Sequence, residues 1–84
     1  MKTYLYKVVL EPDELPSGEP AWHVYCPALY ELGASTWGKS KGEALANIHE
    51  VLQMIVEELV EEGKPVPQEP ALEALNEPMM AVSV

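Results

Sequence analysis

The stretch from Ser40 to Gly63 constrains this chain most, because its pattern fits one kind of secondary structure. Ser40 followed three residues later by Glu43 is a capping-box pattern, in which each side chain satisfies an orphan backbone N–H at a helix start. Apolar residues then recur at Ala44, Leu45, Ile48, Val51, Leu52, Ile55, Val56, Leu59 and Val60. At 3.6 residues per turn these line one side of a helix, and Asn47, Glu50, Gln53, Glu57, Glu58, Glu61 and Glu62 take the other. Gly63 suits the left-handed position after the last turn, and Pro65 and Pro67 prevent continuation. The remaining residues must supply a surface for the apolar side of this helix.

Three segments before the helix read as strands. Tyr4–Glu11 is β-branched and aromatic, with Tyr4, Tyr6, Val8 and Leu10 alternating against Leu5, Lys7, Val9 and Glu11. Residues 12–20, with three prolines and three acids, read as a long polar loop. Ala21–Cys26 is a second strand that Pro27 ends, Ala28–Leu32 turns the chain, and Gly33–Gly38 is a short third strand. After the helix the chain is expected to run extended over Lys64–Pro70, with one helical turn at Ala71–Leu75 and a last strand at Met79–Val84. The order β-β-β-α-β predicts one α+β domain over residues 1–84. An antiparallel meander and a right-handed helical crossover would place the last strand parallel to the first, giving a sheet order 3-2-1-4 with the helix on one face. The opposite face, with Leu5, Val9, His23 and Tyr25, would be open and partly apolar, the kind of surface that forms an interface. An 84-residue chain has a small core, so a homodimer through that face is expected.

Charge narrows the function. Fourteen carboxylates stand against five lysines and no arginine, a net charge of −9. Such a chain lacks the clustered cations that hold phosphates, so direct nucleic-acid binding is not expected. It suits a basic partner, with solubility as the plainer explanation. Glu57, Glu58, Glu61 and Glu62 are the densest acidic cluster and oppose the helix macrodipole, which favours cations at that end. A solvated helix face is the commoner meaning of such a run, but an arrangement that costs stability also fits a partner-binding role. The single cysteine, Cys26, has no flanking base and reads as a small core residue. His23 and His49 lack ligands at metal-binding spacing and read as structural or solvent-facing. No phosphate loop, dinucleotide fingerprint or Ser/His/Asp set follows from spacing, so no cofactor, metal or enzyme activity is expected. The absence of a membrane-length apolar run or a signal-peptide pattern points to the cytoplasm.

Four segments in order resemble the HicB-like antitoxins of toxin–antitoxin pairs. They are Val8-Val9-Leu10-Glu11-Pro12-Asp13-Glu14, Tyr25-Cys26-Pro27-Ala28-Leu29, the helix start Ser40-Lys41-Gly42-Glu43-Ala44-Leu45-Ala46-Asn47-Ile48, and the helix end Glu62-Gly63-Lys64-Pro65-Val66-Pro67. The resemblance implies a partial RNase-H-like domain that binds and neutralises a small basic HicA-like, mRNA-cleaving toxin. It implies no nuclease, since no set of acids here matches a two-metal site. After the turn's leucine, where the family usually has Pro-Gly-Cys, this chain has Tyr30-Glu31-Leu32. Many members continue into a DNA-binding segment, whereas this chain stops at the last strand, so no separate DNA-binding domain and no operator binding are expected. The alternative from another class is an orphan homo-oligomeric domain without a toxin, acting as a regulator or small-ligand binder.

Overall fold

The computed structural model describes residues 2–67 and 79–84. It is an α+β fold with strands β1 (Thr3–Lys7), β2 (Val9–Glu14), β3 (Pro20–Tyr25) and β4 (Ser35–Gly38), helix α1 (Lys41–Glu61) and strand β5 (Met79–Ser83). A 3-10 helix, Pro27–Leu32, joins β3 to β4. The strands form two antiparallel sheets, β1-β5 and β2-β3-β4.

Helix α1 begins and ends as its sequence dictates. The Ser40 hydroxyl accepts from the Glu43 amide at 3.1 Å, and the Glu43 carboxylate accepts from the Lys39 amide at 3.2 Å. At the other end Gly63 is left-handed (φ 69°). Its N–H donates to the Val60 carbonyl and the Lys64 N–H to the Leu59 carbonyl, the paired bonds of a Schellman stop. Ala44, Ile48, Leu52 and Val56 recur every four residues and are fully buried. They meet Tyr6, Val8, Val24, Cys26, Leu29, Ala34 and Val82 in one core. Each large apolar side chain so buried is worth about 1.5–3 kcal/mol. Cys26 belongs to this core, as its sequence context suggests.

The expected first strand is two strands. Val8, fully buried, lies between β1 and β2 and outside both ladders. The β2–β3 ladder ends at the Val9–Tyr25 pair because Pro27, which has no N–H to donate, starts the 3-10 helix two residues on. With β3 ended, Thr3–Lys7 pairs with β5 instead, Tyr4 opposite Val82 and Tyr6 opposite Met80. The long polar loop is also shorter than expected. β2 runs through Pro12 to Glu14, and β3 begins at Pro20, leaving a turn at residues 15–19 closed by a Leu15 N–H to Glu19 carbonyl bond of 2.9 Å. Pro12 is compatible with a strand because β2 is at the sheet edge.

The last strand is antiparallel to β1, not parallel as expected, and the single four-stranded sheet is replaced by two sheets. The crossover rule applies when a strand returns directly from the far end of the helix. Here residues 62–78 intervene, and β5 advances in the same direction as α1: His49 Nε2 lies 3.1 Å from the Ala81 carbonyl, and Gln53 Nε2 donates to the Ser83 carbonyl at 2.6 Å. His49 is therefore a structural tie between helix and strand. The Tyr6 hydroxyl donates to the Pro67 carbonyl, pinning the extended stretch after the helix against β1. The helical turn expected at 71–75 lies outside the described residues.

Gly38 sets the distance between strand and helix. A Cβ at this position would stand 2.3 Å from the Ala44 backbone nitrogen and 2.7 Å from its Cα. The first turn of α1 thus lies directly on the end of β4, and the Asn47 amide adds a 2.7 Å bond to the Trp37 carbonyl.

Candidate functional site

Two surfaces concentrate chemistry-bearing residues. The first is the C-terminal end of α1. Glu57, Glu58, Glu61 and Glu62 are all exposed there, and the last turn carries no basic residue. Glu57 accepts from Gln53 at 2.9 Å, and Glu62 pairs with Lys64 at 3.3 Å in an exposed contact. Between the helix and the 3-10 segment lies a shallow cleft of about 170 Å³, lined by Leu32, Ile55, Glu58, Leu59, Glu62 and Lys64. Leu32 and Val60 are half exposed, so acidic and apolar surface are continuous here. Of the four glutamates, the cleft takes Glu58 and Glu62.

The second is the face of β2-β3-β4 that carries the odd-numbered residues. Register places Glu11 opposite His23, and His23 opposite Trp37; Val9 is opposite Tyr25, and Tyr25 opposite Ser35. Since side chains alternate along each strand, these residues share one face. The His23 ring stacks on Trp37 (centroids 4.8 Å apart) and on Tyr25 (5.4 Å), and Tyr30 meets Tyr25 edge-on at 5.7 Å. Trp37 donates its indole N–H to Asp13 Oδ2 at 2.8 Å. The Asp13 carboxylate also accepts the Glu14 amide. The Trp37 bond, then the Glu14 amide, hold the Asp13 pKa below the ordinary 3.8. Of the residues expected on an open face, Val9, His23 and Tyr25 are here, whereas Leu5 is exposed on β1 in the other sheet.

His23 also joins two groups that spacing did not connect. Its Nε2 is 2.7 Å from Ser35 Oγ and its Nδ1 3.3 Å from Glu11 Oε1. A carboxylate only accepts, so in neutral His23 the proton sits on Nδ1 and Nε2 accepts from the Ser35 hydroxyl. That is the order hydroxyl–imidazole–carboxylate, and it can shift a proton along the row. The Ser35 amide is bonded to the Gly33 carbonyl at 2.9 Å and is not free to hold an oxyanion. The signal for this row is cross-strand: positions 11, 23 and 35 come together only once the meander's register is known.

Among the described residues no group of three or more His, Cys, Asp or Glu side chains could hold a metal ion, and no helix is long and apolar enough to cross a membrane. The five lysines are scattered, with Lys41 over the Trp22 ring (4.8 Å) and Lys2 over the Tyr4 ring (5.2 Å).

Comparison with known proteins gives a relative in Synechocystis sp., a UPF0150 protein that is 39% identical over 66 residues, covering 79% of this chain and 76% of the relative. No family model and no solved structure matches the chain. The relative's name states no activity.

Proposed function

The chain belongs to the UPF0150 family, and we propose that it is a non-enzymatic, antitoxin-type protein that binds and neutralises a small basic HicA-like, mRNA-cleaving toxin. The observation that carries this reading is the acidic end of α1, where Glu58 and Glu62 line a shallow cleft together with Leu32, Ile55, Leu59 and Lys64. Apart from Lys64 beside Glu62, this helix end lacks the cations that the macrodipole favours, and a partner's Lys or Arg side chains supply them. The apolar lining gives the complex contact area that charge alone does not. An RNA-cleaving toxin presents a positive surface to phosphates, and an acidic protein competes for it.

The antiparallel meander β2-β3-β4 supports the HicB-like resemblance. The antiparallel last strand departs from the expected topology. The orphan homo-oligomer remains the second reading, favoured by half-exposed Leu5 and by Val9, His23 and Tyr25 on the face opposite the core.

The test is association kinetics with the candidate toxin at rising salt. Exposed charges are screened beyond about 8 Å at physiological ionic strength, so the association rate falls clearly from low to moderate salt while dissociation changes little. Replacing Glu57, Glu58 and Glu61 together with Gln, which has similar helix propensity, slows association with the helix intact. A salt-independent rate, or a triple variant that protects cells as well as wild type, overturns this reading.

A further inference from the structure

We propose that the open face of β2-β3-β4 is a receiving site for an arginine side chain of the basic partner, with the guanidinium laid on Trp37 beside the Asp13 carboxylate. The inference rests on the basic-partner reading and adds a second contact, away from the helix end.

The face is built for a flat cation. Trp37 is 48% exposed, yet its ring is fixed by the stack on His23 and by the N–H bond to Asp13. A fixed, solvent-facing indole is the strongest of the aromatic platforms for a cation. A guanidinium stacked on it directs its N–H groups outward, in a plane parallel to the ring. Asp13 stands at the ring's N–H edge and, like any carboxylate without a raised pKa, is charged at neutral pH. Glu11 lies beyond His23, at 3.3 Å from the imidazole. The chain has no arginine of its own to occupy this face. Trp22 shows the same preference internally, since Lys41 already covers its ring. Nucleic-acid bases also stack on exposed indoles, but their phosphates would meet Asp13 and Glu11. Charge complementarity therefore selects a cationic protein side chain.

A short arginine-containing peptide is the probe, titrated into the full chain and followed by the two indole N–H signals in a nitrogen-correlated NMR spectrum. A citrulline peptide of the same length serves as the neutral isostere. The expected result is a saturable shift of the Trp37 signal with arginine, little shift of Trp22, and at least a fivefold weaker response to citrulline. Asp13→Asn keeps an oxygen for the indole bond but removes the charge, and is expected to weaken the response at least twofold. Trp37→Ala abolishes saturable binding, read from the backbone amides of β3. Equal response to arginine and citrulline, equal shifts of both indoles, or unchanged binding by Asp13→Asn overturns the site. So does a single-stranded oligonucleotide that saturates Trp37 where the arginine peptide does not. If a basic partner binds wild type and Trp37→Ala equally, the arginine site fails and the partner reading stands. If the peptide binds as expected but no toxin is found, the partner reading fails and the site stands.

Discussion

Replacing Gly38 with alanine tests how closely β4 and α1 are packed. The added Cβ would lie 2.3 Å from the Ala44 nitrogen, 2.7 Å from its Cα and 2.8 Å from the Glu43 carbonyl carbon. All three atoms are backbone, so no side chain can rotate away, and the first turn of α1 must move by about 1 Å to reach ordinary contact distance. That turn is held by the Ser40 cap and by the Asn47 bond to the Trp37 carbonyl, and its buried Ala44 lies in the core. Overpacking against side chains destabilises by about 1–3 kcal/mol, and a clash with fixed backbone belongs at the upper end, at about 3 kcal/mol. With a urea slope of roughly 1 kcal/mol per molar for a small domain, the unfolding midpoint is expected to fall by about 3 M. Gly42→Ala is the control. Its Cβ meets nothing closer than the Ser40 hydroxyl at 4.0 Å, and alanine is the better helix former, so stability is expected to rise by about 0.5–1 kcal/mol. Urea unfolding of both variants by circular dichroism reads the two signs. A Gly38→Ala midpoint equal to wild type would refute the close approach of helix and strand.

Ser40→Ala removes the side chain that accepts the Glu43 amide and is expected to lose about 1 kcal/mol, the usual value for an N-cap; an unchanged urea midpoint contradicts it. Tyr6→Phe removes the tie to the Pro67 carbonyl and is expected to lose about 1 kcal/mol, with faster amide exchange at Val66. Asp13 has a folded-state pKa depressed by its Trp37 bond, so its contribution to stability is present above the ordinary pKa of 3.8 and is lost as pH falls through the folded value. The Trp37 indole signal is accordingly expected to titrate with a midpoint below 3.8, the ordinary value for Asp13, and not to titrate in Asp13→Asn. Val9→Lys is expected to disrupt any dimer before it unfolds the domain, since Val9 lies in β2 on the open face; light scattering at high concentration reads the outcome.

What the sequence conveys well is local. The Ser40 and Glu43 cap, the Gly63 stop and the four-residue recurrence of Ala44, Ile48, Leu52 and Val56 depend on neighbours within a turn or two, and each is where its pattern puts it. The division of the first strand at Val8 is different. It follows from Pro27, nineteen residues further along by count from the sequence, ending the partner strand. Nothing in Tyr4–Glu11 itself signals that break. Proline likewise misleads at position 12, where an edge strand accommodates it. The antiparallel pairing of β5 with β1 is a long-range contact, which periodicity does not encode. At the candidate sites the acidic run is plain from composition, but its apolar lining needs Leu32 brought beside Ile55 and Leu59. The row Glu11–His23–Ser35 and the Trp37–His23 stack are products of register. Their residues alternate with buried Val24 and packed Trp22, so the face was legible in outline although its partnerships were not.

The proposed binding of a basic protein by this acidic chain is open to direct measurement. The most direct measurement is affinity purification of the full chain from its native host at low salt, with the bound fraction identified and its stoichiometry determined by mass spectrometry. One small protein rich in Lys and Arg is expected at a fixed ratio, retained at low salt, captured more slowly by the Glu57/Glu58/Glu61→Gln variant, and able to cleave RNA once freed. A chain that elutes alone or only with copies of itself under the same conditions contradicts it.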